Sequence, residues 1–203
     1  MKRFLILNFL ILFLFISCNE KKSEQTSVQE KPLIIQIQPF SDMKNVEVEL
    51  IAKEIKEIYP HIEILKPIDF PENAYYQPRN RYRADSIIKF LNSKTENGFV
   101  KLGLTSKDIS VTKGKNPDFG VMGLGYRPGK ACVASTFRLN KNNKNSQFYK
   151  VAIHELGHTQ GLPHCPEKTC FMRDAEGGNP TDELTNFCKK CKLHLQSKNW
   201  KLI

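Results

Sequence analysis

HELGHTQGLPHC, residues 154–165, fixes both the last long helix of the domain and the point at which it must stop. His154 and His158 are four residues apart, about 400° around a helix axis, so their imidazoles project from one face into one volume. Gly157 offers little bulk on that helix, and Gly161 can take the left-handed conformation that ends it. The chain then turns back through Leu162 and Pro163, so that His164 supplies a third nitrogen. Three such donors leave one position of a tetrahedral zinc open, the mark of a catalytic rather than a closed structural ion. Glu155, beside the first ligand, is the expected general base toward a water that the metal activates, and it can pass the proton to a leaving amine. Histidines used only in packing or caps are the bland alternative. A bare H-E-x-x-H arises by chance in roughly one chain of this length in forty; fixing Gly161 and His164 as well makes the coincidence about four hundred times rarer, so the ligand reading prevails.

Upstream, Ser146 is a plausible N-cap for a helix over 147–161. LIIQIQPF at 33–40 partly alternates and reads as a strand. Val48, Ile51, Ile55 and Ile58 recur at helical spacing until Pro60, and HIEIL at 61–65 is a second strand. Ala84, Ile87, Ile88 and Leu91 mark a second helix, and a third strand covers 100–104. The order βαβαβ implies a parallel sheet with right-handed crossovers. After a loop through Lys113, Gly114, Asn116 and Pro117 come FGVMGLGY from Phe119 and ACVASTF from Ala131, joined too closely for a helix and so expected to pair antiparallel. The fold class is therefore α/β, a mixed, mostly parallel five-stranded sheet with helices. Gly123, Gly125 and Gly129 do not form a dinucleotide fingerprint, because its third position is Pro128; a turn or close backbone approach is the expectation. No internal repeat stands out.

Downstream, Cys165 follows the third histidine directly, Cys170 comes next, Met172 follows at CFM, and Cys188 and Cys191 form a C-x-x-C. Cysteines paired at short intervals and separated by a longer loop are a usual Cys₄ zinc arrangement. Two disulfides are the competing reading if the domain is exported. Cys132, in a strand, is left over and is expected to be a buried thiol.

The long histidine motif with Gly161 and His164 resembles the metzincin signature, and the ordered set from His154 to Cys191 closely resembles the archaemetzincin family of peptidases. Upstream, LGLTSKDIS from Leu102 is similar to the family's strand leading into the cleft. The gap from Met172 to Cys188 is about two residues shorter than the family pattern. The resemblance implies a zincin-like fold with an active-site helix and a small C-terminal zinc-stapled subdomain, and hydrolysis of peptide bonds in a peptide or protein substrate. It also implies two zinc ions per chain, a catalytic one on His154, His158 and His164 and a structural one on Cys165, Cys170, Cys188 and Cys191. Met172 would be the methionine of the turn beneath the catalytic zinc, where residues alone allow an ordinary core methionine. Metzincins bind extended substrate along an edge strand, for which residues 119–125 are the candidate. Tyr126 and Tyr149 are available to stabilise an oxyanion, and nothing in the sequence places them.

At the other end, Met1, Lys2 and Arg3 precede an apolar run at 4–16 interrupted by Asn8, then Ser17 and Cys18. This is an export leader, too short to span a bilayer comfortably. Its junction resembles a bacterial lipobox, with Phe15 in place of the usual aliphatic residue, so Cys18 is the expected lipidation site and 1–17 the signal peptide. NEKKSEQTSVQEK at 19–31 lacks apolar periodicity, which makes 18–31 a flexible tether and 32–203 the metallopeptidase domain. An uncleaved anchor helix is the alternative, and both place the domain at the cell envelope, outside the cytoplasm. The formal charge is +10, and removing Lys2 and Arg3 leaves +8. These cations are scattered, with short clusters such as KNNKNS at 141–146, so a solvated surface is expected rather than a nucleic-acid partner. A monomer is expected. The competing function is a non-catalytic zinc-stapled binding module, against which an intact Glu155 argues, and a nucleic-acid-binding zinc ribbon is a third class that the leader opposes.

Overall fold

The structure, a computed structural model, describes residues 32–202. The expected signal peptide, the tether and Cys18 lie outside the described residues.

Five strands form the main sheet: β1 (Ile34–Pro39), β2 (Ile62–Ile64), β5 (Phe99–Thr105), β9 (Ala131–Ser135) and β8 (Gly123–Gly125). Their order is β2-β1-β5-β9-β8, with every pairing parallel except β8 on β9. The first crossover is α1 (Asn45–Ile58), which buries Val48, Ile51, Ala52 and Ile55 and gives way just before Pro60. The next contains α2 (Ala84–Ser93), which buries Ala84, Ile87, Ile88 and Leu91. Alternation along β9 divides the core. Cys132 and Ala134 face α1 and α3 (Lys144–Thr159), whereas Ala131 and Val133 face α2. Cys132 is a fully buried thiol, as expected.

Four further strands form a second sheet that the periodicity did not reveal: β3 (Tyr75–Tyr76), β4 (Arg81–Arg83), β6 (Ile109–Lys113) and β7 (Asn116–Val121), in the order β3-β4-β6-β7. β3 and β4 are two and three residues long, and Pro117 in β7 argues against a strand on propensity alone. The sheet is held by long-range ion pairs, Arg81 Nε to Asp108 at 2.6 Å and Arg81 to Asp118 at 2.9 Å. LGLTSKDIS therefore spans the end of β5 and the start of β6. FGVMGLGY is not one strand: it divides at Met122, so that Val121 pairs with Ile109 in one sheet and Leu124 with Val133 in the other.

Helix α3 starts at Lys144 with Asn143 as N-cap, earlier than expected, and Ser146 lies inside its first turn. Buried Gln147 explains the shift, because its Oε1 reaches back to accept the Asn140 N–H at 2.8 Å and so orders the approach to the helix. The C-terminal helix α4 (Lys189–Gln196) follows the cysteine segment. Its Cys191 and Leu195, with Trp200 and Leu202, join the core of α1 and α3, so the C-terminal piece packs as part of the domain.

Candidate metal centres and cleft

Helix α3 ends as its sequence demands. Gly161 has φ +98°, its N–H donates to His158 O at 2.8 Å, and the Leu162 N–H donates to Gly157 O at 3.0 Å, the two bonds of a Schellman cap. That turn reverses the chain and returns His164 to His154 and His158. One ring nitrogen from each of the three lies within 4.8 Å of the others.

Each imidazole is held by its Nδ1. His154 bonds Phe171 O at 2.6 Å, His158 bonds Leu162 O at 2.8 Å, and His164 bonds Asp174 Oδ2 at 3.1 Å. Carbonyls and carboxylates only accept, so each Nδ1 carries the proton and each Nε2 lone pair is free. Burial, then the neighbouring His158, hold His154 down to about 3, and burial lowers His158 as well. Neutral imidazoles with oriented, free Nε2 atoms are what a zinc ion requires of its histidine ligands.

Asp174 had no signal in the sequence, since an aspartate two residues after a methionine means nothing without the turn that brings it to His164. Asp174→Ala is expected to weaken zinc affinity roughly 10- to 100-fold, the usual cost of losing such an outer partner. Competition against a chelator of known affinity measures it, and an unchanged constant would mean that the carboxylate does not orient His164.

The segment 170–174 underpins the site. Met172 is fully buried, and a Cβ on Gly157 would lie 2.5 Å from its Sδ, so the glycine in the helix and the methionine beneath it are a matched pair. Met172 O accepts the Cys165 N–H at 2.8 Å. Cys165 thereby ties His164 to the turn that holds His154.

The four cysteines that the sequence singled out do converge. Their Sγ atoms lie within 4.8 Å of one another, all are free thiols, and Cys165 and Cys188 approach to 3.6 Å. Burial pushes the Cys170 thiol up, and the N–H groups that its Sγ accepts from Met172 at 3.5 Å and Cys188 at 3.3 Å partly offset that push. An all-against-all cluster suits a tetrahedral ion, whereas two disulfides require only pairwise approach.

Glu155 faces the cleft from α3, 6 % exposed. Among the described residues nothing hydrogen-bonds or ion-pairs with its carboxylate, and burial pushes its carboxyl up to about 8. β8 lies directly over it: a Cβ on Gly123 would come within 2.5 Å of Glu155 Oε1, and one on Gly125 within 2.8 Å of Glu155 O. The close approach expected of these glycines is to helix α3. A proline at Gly123 would therefore displace Glu155 itself and cannot test strand pairing alone.

The cleft has a volume of about 700 Å³ and runs between β7–β8 and the loop after Asp174. Neither tyrosine lines it. Tyr149 packs edge-on against Phe171 with its hydroxyl pushed up to about 12 by burial, and the half-buried Tyr126 packs against the core on the α2 side.

The profile of Peptidase family M54 matches residues 26–197. The archaemetzincin of Methanocaldococcus jannaschii is 32% identical over 172 residues, covering 80% of this chain and 92% of its own. That of Archaeoglobus fulgidus is 34% identical over 164 residues, 77% of this chain and 95% of its own. The crystal structure of the Archaeoglobus fulgidus protein complexed with malonate superposes with a TM-score of 0.68 at 30% identity, covering 79% of this chain and 98% of that one. The Methanopyrus kandleri archaemetzincin gives 0.71 at 27% identity, covering 84% and 97%.

Proposed function

Since this chain belongs to peptidase family M54, the archaemetzincins, and is a zinc metallopeptidase that acts on peptide or protein substrates, we propose that hydrolysis takes place at His154, His158 and His164 with Glu155 as general base. The observation that carries this reading is the buried Glu155 carboxyl, without a partner among the described residues, beside three imidazoles whose Nδ1 atoms are all committed, leaving three Nε2 donors free. A zinc ion there supplies a Lewis acid that polarises the scissile carbonyl and acidifies water. Glu155 takes the proton from the attacking water and delivers it to the departing nitrogen. A binding module has no use for an unpaired buried carboxylate, which is costly to keep.

Substrate is expected to lie along β8. Its flanking ladder bonds run from Ser135 N to Met122 O and from Tyr126 N to Ala131 O. By the alternation of an antiparallel pair, Gly123 and Gly125 direct their N–H and C=O groups away from β9, toward an added strand.

The second zinc is assigned to Cys165, Cys170, Cys188 and Cys191, supported by the mutual approach of their thiols. The signal peptide, lipidation at Cys18 and cell-envelope location are proposed from the leader sequence alone. Native mass spectrometry of the full chain tests the set together. The expected result is one chain carrying two zincs and a lipid mass at the N-terminus, with peptide hydrolysis lost on chelation and restored by zinc. One zinc and a four-proton mass deficit would replace the Cys₄ site by disulfides; no zinc in a folded, zinc-supplied sample would remove the catalytic reading.

A further inference from the structure

The charge of the cleft is unbalanced. Five cations line it, Lys113, Arg127, Arg138, Lys150 and Arg173, against two carboxylates, Glu155 and Asp174. Both carboxylates are committed, one as the proposed base and the other to His164. Two of the cations are neutralised from outside the cleft, Arg138 by Asp108 at 2.8 Å and Arg173 by Glu183 at 2.6 Å. Among the described residues Lys113, Arg127 and Lys150 have no carboxylate within 4 Å. Lys113 and Arg127 are exposed, Lys113 over the Phe119 ring and Arg127 just beyond β8, where water and salt screen them.

Lys150 is different. It is half-buried on α3 four residues before His154, and Lys150, His154 and His158 form one stripe on the helix. Four residues of helix rise about 6 Å, and an extended peptide advances about 3.4 Å per residue, so Lys150 lies within one or two substrate residues of the reacting carbonyl. Its Nζ donates to Thr181 O at 2.9 Å, which fixes the ammonium and leaves two N–H donors for a ligand. Val151, Pro180 and Leu184 line the same cleft around it. Aliphatic walls with one anchored cation suit a side chain that is methylene in its stem and anionic at its tip.

We propose that Lys150 is a specificity-determining residue, whose ammonium receives the carboxylate of an acidic side chain one or two residues from the scissile bond, so that the enzyme prefers acidic peptides. The inference rests on the hydrolytic reading of the histidine site. A peptide mixture is digested by the zinc-loaded enzyme and the cuts are mapped by mass spectrometry. kcat/KM is then compared for peptides that differ only in Glu, Gln or Lys at the enriched position. The expected Glu-to-Gln ratio is roughly tenfold to a hundredfold, falling to about one in Lys150→Gln, with preference for Lys in Lys150→Glu. Each ratio is taken within one variant whose zinc content matches the wild type, so a general loss of activity cancels, and a merely structural lysine would not invert the preference. A wild type without acidic preference, or an acidic preference that survives Lys150→Glu, overturns the proposal. If no peptide is hydrolysed at all, the hydrolytic reading fails. Fluorescence anisotropy of the labelled Glu and Gln peptides on wild type and Lys150→Glu then decides the role of Lys150 separately, tighter binding of the Glu peptide to wild type alone supporting it and equal binding refuting it.

Discussion

Glu155→Gln is expected to reduce kcat on any peptide substrate by roughly 10²- to 10⁴-fold while leaving zinc content unchanged, the range for removal of a positioned general base. Glutamine keeps the shape of the side chain and so its fit beneath Gly123, where a single added carbon would already crowd Oε1 at 2.5 Å. What it removes is the capacity to hold a proton at Oε. None of the three imidazoles is held through Glu155, since their partners are Phe171 O, Leu162 O and Asp174, so the metal site should not sense the change. Each factor of ten corresponds to about 1.4 kcal/mol of barrier, so a loss of about 3–5 kcal/mol is assigned to this one carboxylate. Turnover within tenfold of wild type would mean that another group takes the proton. A fall in zinc occupancy that tracks the fall in rate would show that Glu155 supports the metal site instead.

How much of this was legible beforehand follows from the range of the interactions involved. The stretch from His154 to His164 could be read because each requirement acts within a few residues: two histidines one turn apart, a glycine at positive φ, a reversal through Leu162 and Pro163. The five-stranded sheet could be read for the same reason, since Ile35 and Ile37 in β1 and Ile51 and Ile55 in α1 advertise strand and helix periods locally. The second sheet could not, because β3 and β4 are too short to show a period, and β4 is tied to β6 and to the partners of Arg81, Asp108 and Asp118, all far along the chain. The division of 119–126 at Met122 was hidden for a related reason, because nothing local tells Val121 to pair with Ile109 while Leu124 pairs with Val133. Asp174 and Lys150 belong to the same class, polar residues whose roles exist only once the turn at 170–174 and the loop through Thr181 close over α3.

That turn also makes the cysteine cluster matter to the histidine site, which sets the second large expectation. Cys191→Ala should lower the zinc count from two to one and destabilise the domain by on the order of 3–5 kcal/mol, a fraction of the roughly 10–16 kcal/mol that structural zinc contributes in small domains without a core of their own. For a domain of this size that is a fall in Tm of about 6–20 °C. The loss is partial because Leu195, Trp200 and Leu202 still bury the C-terminal segment. The catalytic site should weaken as well. Cys165 adjoins His164 and donates to Met172 O, Met172 fills the space under Gly157, and Asp174 beyond it holds the His164 ring. Releasing the cysteine end of that segment frees both His164 and its partner, so the remaining zinc is expected to dissociate more readily in a chelator competition. Reductant distinguishes this from two disulfides: zinc binding predicts that a reductant that does not bind metal leaves the wild-type Tm unchanged, and disulfides predict that it falls, whereas chelation lowers Tm under both through the histidine-bound zinc. A Cys191→Ala protein that keeps two zincs and its wild-type Tm would exclude both, and with them the idea that the C-terminal helix braces the active site.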